Sequence, residues 1–379
     1  MKFRPFVFRV FTVSLSVGLA LALVEVVLQV HNPLRSSVRQ NRVVLNVNNR
    51  IEVPKRDGNG DTVYTTNSLG FRGPEPPSDF AERLTVLAIG GSTTEDFYLD
   101  DEDTWPLRLA SELSPYFRDL WVNNAGMSGH STLGHTVLVR DYVSALGPKV
   151  ALFLVGVNDM GRTEEPEAVD GSYNFLYNTT NPGWSEWVNT KVRSSELVNV
   201  VITLKRLWWA TRLGVVYRPN YNLREVQHRE VSGVEITRLL DTVRKELIPS
   251  YVRRLRVLIE NCVRAGIKPI FITQPALYGE GVDPVTGVHL DTIVTGEING
   301  QLSNGRVSAE VLGEYNRALV EIAAQYNVSV LDLADQLPSR SDLYLDLTHF
   351  NDAGSAKVAQ IVASGLLPVL EAEFPEFRR

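Results

Sequence analysis

From residue 84 onward the chain alternates two kinds of hydrophobic pattern. The short apolar runs Leu84–Gly90, Leu120–Asn123, Val150–Val155, Pro269–Thr273 and Val328–Leu333 are bounded by polar residues and too brief for helices. They predict buried parallel strands. Between and after them, apolar residues recur every three or four positions over Trp105–Phe117, Leu133–Leu146, Leu239–Ala265, Ala309–Tyr326 and Asp352–Leu370. That spacing predicts helices. Strand and helix in alternation call for a parallel sheet covered on both faces, an α/β fold. No internal repeat at solenoid periods is present.

Two stretches break the rhythm. Residues 160–238 mix Trp184, Trp187, Trp208 and Trp209 with charged and turn residues, which predicts an insertion packed over the crevice. Within it Leu197–Leu213 has the spacing of an amphipathic helix. Gln274 to about Ser308 is expected as loop. Residues 32–83 are polar, with β-type runs at Arg42–Val47 and Thr62–Thr66. They read as a stalk and a small strand-containing lead-in, ending in turns at Thr66–Pro74. Arg72 is expected on the surface.

The N-terminus differs again. Lys2, Arg4 and Arg9 precede Val10–Val30, whose one ionisable residue is Glu25. As a helix that span would measure roughly 31 Å, enough to cross a hydrocarbon core. The basic residues before it place the N-terminus in the cytoplasm and residues 32 onward outside. Ala20-Leu21-Ala22 also resembles a signal-peptide cleavage site, but apolar sequence continues to Val30, which suits an anchor better. Glu25, near the outer end, is expected to snorkel to the interface. The chain thus divides into an anchor at 1–31, a lead-in at 32–83 and an exported domain at 84–379.

Composition narrows the chemistry. A 379-residue chain that is 44% hydrophobic and 22% charged is globular. A net charge of −6 gives no support for a nucleic-acid partner. The single cysteine, Cys262, excludes an intrachain disulfide framework and a multi-cysteine metal site. It falls in a helical pattern and reads as a buried structural thiol. Arg253, Arg254 and Arg256 read as a solvated helix face.

Ser92 follows Gly90-Gly91 at the carboxyl end of the first strand, where a helix would begin. That is the crevice in which open α/β sheets hold ligands, although a serine there also suits a plain helix cap. A serine nucleophile needs a base, itself oriented by a third group. Asp346-Leu-Thr-His349 supplies both: an aspartate three residues before a histidine can hold one ring nitrogen and aim the other outward. His130 and His135, near a glycine turn, are competing bases. A tetrahedral intermediate also needs donors for its oxyanion. Candidates are the backbone N–H of Ser92, the backbone N–H of Gly129 and the side-chain amide of Asn158, all after the first three predicted strands. No G-x-S-x-G nucleophile elbow occurs.

Ser92, Gly129, Asn158 and His349, in that order, resemble the SGNH (GDSL-type) hydrolase superfamily. Gly90-Gly91-Ser92 is similar to its first block, with Gly91 where the namesake motif has aspartate. Asn124–Gly129, Gly156-Val-Asn-Asp159 and Asp346-Leu-Thr-His349 are similar to the later blocks, so the likeness covers about 84–160 and 266–370. The G-G-S-T-T form, the N-S-L-G-F-R-G lead-in and the anchor look like membrane-anchored bacterial members. The resemblance implies a three-layer, flavodoxin-like fold with a five-stranded parallel sheet. It implies ester hydrolysis without metal or organic cofactor. In that reading Ser92 is nucleophile, His349 base and Asp346 its orienter, with Ser92, Gly129 and Asn158 around the oxyanion. Relatives act on lipids, acylated glycans or thioesters, and some transfer the acyl group. Three readings follow: an esterase for an acylated glycan or lipid, a cell-surface polysaccharide O-acyltransferase, and a non-catalytic scaffold.

Overall fold

The computed structural model describes residues 3–30, 48–54, 60–163, 221–298 and 301–379. The run Arg42–Val47, the four insertion tryptophans and the expected helix Leu197–Leu213 lie outside the described residues. In chain order come helix α1 (Phe3–Val30) and an antiparallel pair, β1 (Arg50–Pro54) and β2 (Asp61–Thr65). Then follow β3 (Leu84–Gly90), α2 (Ser92–Glu95), α3 (Trp105–Leu113), β4 (Leu120–Asn124), α4 (Thr132–Leu138) and β5 (Val150–Val155). After the insertion come α5 (Gly233–Thr242), α6 (Ile248–Arg264), β6 (Lys268–Thr273), the antiparallel pair β7 (Val294–Ile298) and β8 (Gln301–Asn304), α7 (Gly305–Gln325), β9 (Ser329–Leu331) and α8 (Asp352–Glu373).

The central sheet has the order β4-β3-β5-β6-β9, with every pairing parallel. Counting only its own strands, this is the 2-1-3-4-5 order of flavodoxin-like sheets, whose switch point falls beside the first strand. Alternate residues feed two separate cores. Val86 and Ala88 of β3, with Leu152 and Leu154 of β5, pack under α3 and α8. Leu87, Ile89, Ala151 and Phe153 face α4, α6 and α7 on the other side. Both faces being covered explains why β5 reads as an unbroken apolar run and β3 as one interrupted only by Thr85.

Several elements depart from expectation for identifiable reasons. Helix α3 stops at Leu113 because Pro115 has no N–H to continue the ladder. The helix expected from Leu239 begins at Gly233, where Ser232 and Glu235 form a reciprocal capping box. A π turn at Val243–Leu247 then joins α5 to α6, just before Pro249. The stretch 274–308 is not all loop, since it contains the β7–β8 pair and the first turn of α7, capped by Asn304. Strand β9 is shorter than expected because Asp332 leaves the sheet, accepting a bond from Thr273 Oγ1 at 2.8 Å.

Arg72 and Arg254 are not at the surface. Arg72 is buried, and its backbone exchanges two 2.9 Å hydrogen bonds with Asn124 at the edge of β4. The lead-in is thereby docked onto the sheet. Arg254 is fully buried on the inner face of α6, while Arg253 and Arg256 are exposed as expected. By length and composition α8 could cross a membrane, but Val358, Val362 and Leu366 bury one face of it in the core. Helix α1 presents Leu15, Val17, Leu19, Leu21 and Leu23 outward.

Candidate active site

Strand β3 ends at Gly90, and one residue later the chain turns into α2 with Ser92 as its first residue. The N–H of Ser92 lies in the first turn, where no intrahelical acceptor exists. The helix is a single turn because Asp96 adopts left-handed backbone, φ +50°, and closes it. Its carboxyl-end carbonyls are taken up by Arg72. The guanidinium donates to the carbonyls of Glu95 (2.6 Å), Asp96 (2.8 Å) and Leu99 (2.8 Å) and to the Asp101 carboxylate. It also lies 4.5 Å above the Tyr64 ring. The short helix is thus fixed at its carboxyl end.

His349 arrives from the other end of the chain. Tyr344 and Phe350 form an antiparallel bridge, and Leu345 N–H donates to the His349 carbonyl at 2.7 Å, closing a tight loop. Asn351 then caps α8 through the Gly354 N–H. Inside the loop the Asp346 carboxylate accepts the backbone N–H of Thr348 and of His349, each at 3.0 Å. It lies 2.8 Å from His349 Nδ1, and His349 Nε2 lies 2.7 Å from Ser92 Oγ. Burial alone would raise the Asp346 carboxyl; the His349 hydrogen bond and charge, with the two backbone N–H groups, outweigh it and hold the pKa at about 2. The carboxylate is therefore ionised at neutral pH, with His349 19% exposed beside it.

The loops after β4 and β5 meet at the same junction. Met127 N–H donates to the Gly90 carbonyl at 3.0 Å, and Ser128 N–H to Glu95 at 2.8 Å. Any side chain at Gly126 would run into the Thr94–Glu95 backbone, 2.2 Å from Glu95 N, so only glycine allows this approach. Gly129 follows at φ +73°. From the β5 side, Asn158 Nδ2 donates to the His130 carbonyl at 3.0 Å. The same amide lies against Gly91, where a Cβ would stand 2.1 Å from Nδ2. The structure thus unites Ser92, His349 and Asp346 in one hydrogen-bonded row and brings the Gly129 and Asn158 loops to the β3–α2 junction.

The profile of the GDSL-like Lipase/Acylhydrolase family matches residues 88–357, spanning all of these groups. The chain belongs to this family. No curated relative matches it. Among solved structures it is similar to a GDSL-like lipase from Bacteroides thetaiotaomicron VPI-5482, with 10% identity over 79% of this chain and 92% of that one, TM-score 0.37. It is similar also to the acetyl xylan esterase AlAXEase, with 16% identity over 74% and 98%, TM-score 0.38. A third is TesA, with 13% identity over 76% and 99%, TM-score 0.40. At such low identity and superposition score they bear on neither substrate nor mechanism.

Within this GDSL-like frame the imidazole that meets Ser92 Oγ is that of His349, at 2.7 Å. His130 and His135 are buried, and burial first of all pushes them down, to about 3 and about 4. Both rings stay neutral at physiological pH. Cys262 is buried and its thiol is pushed up to about 12, an inert group. Among the described residues no cluster of three histidine, cysteine or acidic groups is placed to hold a metal.

Sequence reasoning missed the supports. Glu95 fastens the Gly129 loop to α2, and burial raises its carboxyl despite the bond from Ser128 and the Arg72 charge. Asp159, quoted with Asn158 but given no role, pairs with Arg254 at 3.1 Å. Spacing carries no signal for either, because their partners are remote in sequence.

Proposed function

We propose that this GDSL-like protein is a serine esterase. The observation that carries the reading is the row Asp346–His349–Ser92, with both links within 2.8 Å. Ser92 Oγ attacks the acyl carbonyl carbon while its proton passes to His349 Nε2. The Asp346 carboxylate holds the ring by Nδ1–H and stabilises the imidazolium. The carbonyl oxygen, now an oxyanion, accepts from the N–H of Ser92 and of Gly129 and from the amide of Asn158. Collapse breaks the bond to the leaving alkoxide, which takes the proton from His349. Water, activated by the same ring, then hydrolyses the acyl-Ser92 ester.

Helix α1 is the membrane anchor in this proposal and sets the active domain outside the cytoplasm. Its support is the apolar span from Val10 to Val30 and the outward-facing leucines and valines along it. The substrate is an acyl ester on a glycan or a lipid. The test is a panel of p-nitrophenyl esters of increasing chain length beside acetylated polysaccharides, run on wild type and Ser92→Ala. Turnover in the wild type and none in Ser92→Ala is the expected result. Equal turnover in both would remove Ser92 from the reaction. With a glycan acceptor present, acylated product forming faster than free acid would move the assignment to acyl transfer.

A further inference from the structure

Helix α6 carries a charge where its neighbours are apolar. Arg254 sits between Tyr251 and Leu255 on the buried face, and both it and Asp159 are 0% exposed. Arg254 Nη2 donates to Asp159 Oδ1 at 3.1 Å, and Nε donates to Thr132 Oγ1 at 2.9 Å. Thr132 Oγ1 in turn donates to Asp159 Oδ1 at 2.5 Å, and Thr132 N–H lies 3.2 Å from both carboxylate oxygens. A buried ion pair is poor value as a source of stability, since apolar residues of similar volume often do as well or better. Fixing geometry is its best-attested use.

The geometry at stake here is specific. Asp159 directly follows Asn158, and Thr132 lies three residues after Gly129. One link already joins these loops, from Asn158 Nδ2 to the His130 carbonyl. The Thr132–Asp159–Arg254 cluster adds a second beside it and ties both loops to a helix. Tyr315 OH accepts the Gly161 N–H at 3.2 Å and steadies the far end of the turn.

We infer that Arg254 is a positioning residue, which holds the oxyanion donors of Gly129 and Asn158 in register through Asp159 and Thr132. The inference rests on the esterase reading and assigns a role to a residue distant from the substrate. Relaxing the loops by about 1 Å costs on the order of 10- to 100-fold in turnover. The acyl-ester binding surface is left in place, so KM changes little.

The test compares Arg254→Met and the near-isosteric Thr132→Val with wild type, each also in an Asn158→Ala background. Steady-state ester hydrolysis and thermal melting are read together. Expected is a fall in kcat with little change in KM, for variants that still melt cooperatively. In the Asn158→Ala background the same changes should cost less, because one of the two donors they position is already gone. Wild-type kcat in both variants would overturn the inference. So would an equal fold-loss in the two backgrounds, which marks a merely structural role. Ser92→Ala run alongside separates the two levels. If it is inactive while Arg254→Met and Thr132→Val are unimpaired, only this inference falls; if it is active, the esterase reading falls and this one with it.

Discussion

The residue that departs from the family's namesake motif provides the sharpest perturbation. Gly91 has φ −84° and ψ −151°, an extended backbone that any residue adopts, so Gly91→Ala introduces no backbone strain. The obstacle is steric. The new methyl would stand 2.1 Å from Asn158 Nδ2 and 3.2 Å from the His130 carbonyl, while 3.4 Å separates it from Asn158 Cγ. The backbone contact is tolerable, and the short one falls on the free end of a side chain. The Asn158 amide must therefore retreat by roughly 1 Å or rotate away, giving up its bond to His130. An oxyanion donor works at about 2.7–3.1 Å, and losing one costs on the order of 10²–10³ in kcat. Gly91→Ala should thus lower kcat by about 10²-fold or more while leaving the melting temperature nearly unchanged. The assay is steady-state hydrolysis of a short-chain p-nitrophenyl ester, with Asn158→Ala and the double variant in parallel. Adding Gly91→Ala to Asn158→Ala should do little further harm. Wild-type kcat in Gly91→Ala, or full additivity in the double variant, would refute the reasoning.

Two further outcomes follow from buried ionisable groups. Arg72→Met leaves three carbonyls and the Asp101 carboxylate without their donor and should destabilise the fold by about 3–5 kcal/mol, read by denaturant titration; a loss below about 1 kcal/mol would show the cluster to be well solvated. His130 and His135 are held down at about 3 and about 4 against an ordinary 6.5, so the unfolded chain takes up protons that the folded one refuses. Their contribution is complete above pH 6.5 and drains away as pH falls from there toward about 4 for His135 and about 3 for His130. Asp346, held at about 2 against 3.8, adds a later loss between those two values. His130→Phe should flatten the first window in a plot of melting temperature against pH, and an unchanged slope would contradict the assignment.

The sheet was legible because its strands are covered on both faces: Leu84–Gly90 and Val150–Val155 coincide with their apolar runs to the residue. The β7–β8 pair was missed although Asn299-Gly300, a hairpin dipeptide, lies between its strands. Polar Thr295, Glu297, Gln301 and Ser303 hide the short strands within a long connection. At the site, Ser92, Asp346 and His349 could be singled out because Ser92 stands where β3 gives way to α2 and the other two share a short loop ahead of α8. Arg72 and Arg254 could not. Each looks like an ordinary surface cation until the fold supplies acceptors from residues 23 to 29 positions away in one case and 95 to 122 in the other. A charge is identified as buried by its partners, and one-dimensional spacing does not reveal them.

The central claim is that Ser92 is a nucleophile activated by His349. Its most direct measurement is intact-mass and peptide mapping after exposure to a fluorophosphonate, which phosphonylates an activated serine. A single adduct on Ser92, abolished in Ser92→Ala and slowed by orders of magnitude in His349→Ala, is the predicted result. Labelling of a different residue, or equal labelling rates with and without the imidazole, would contradict it.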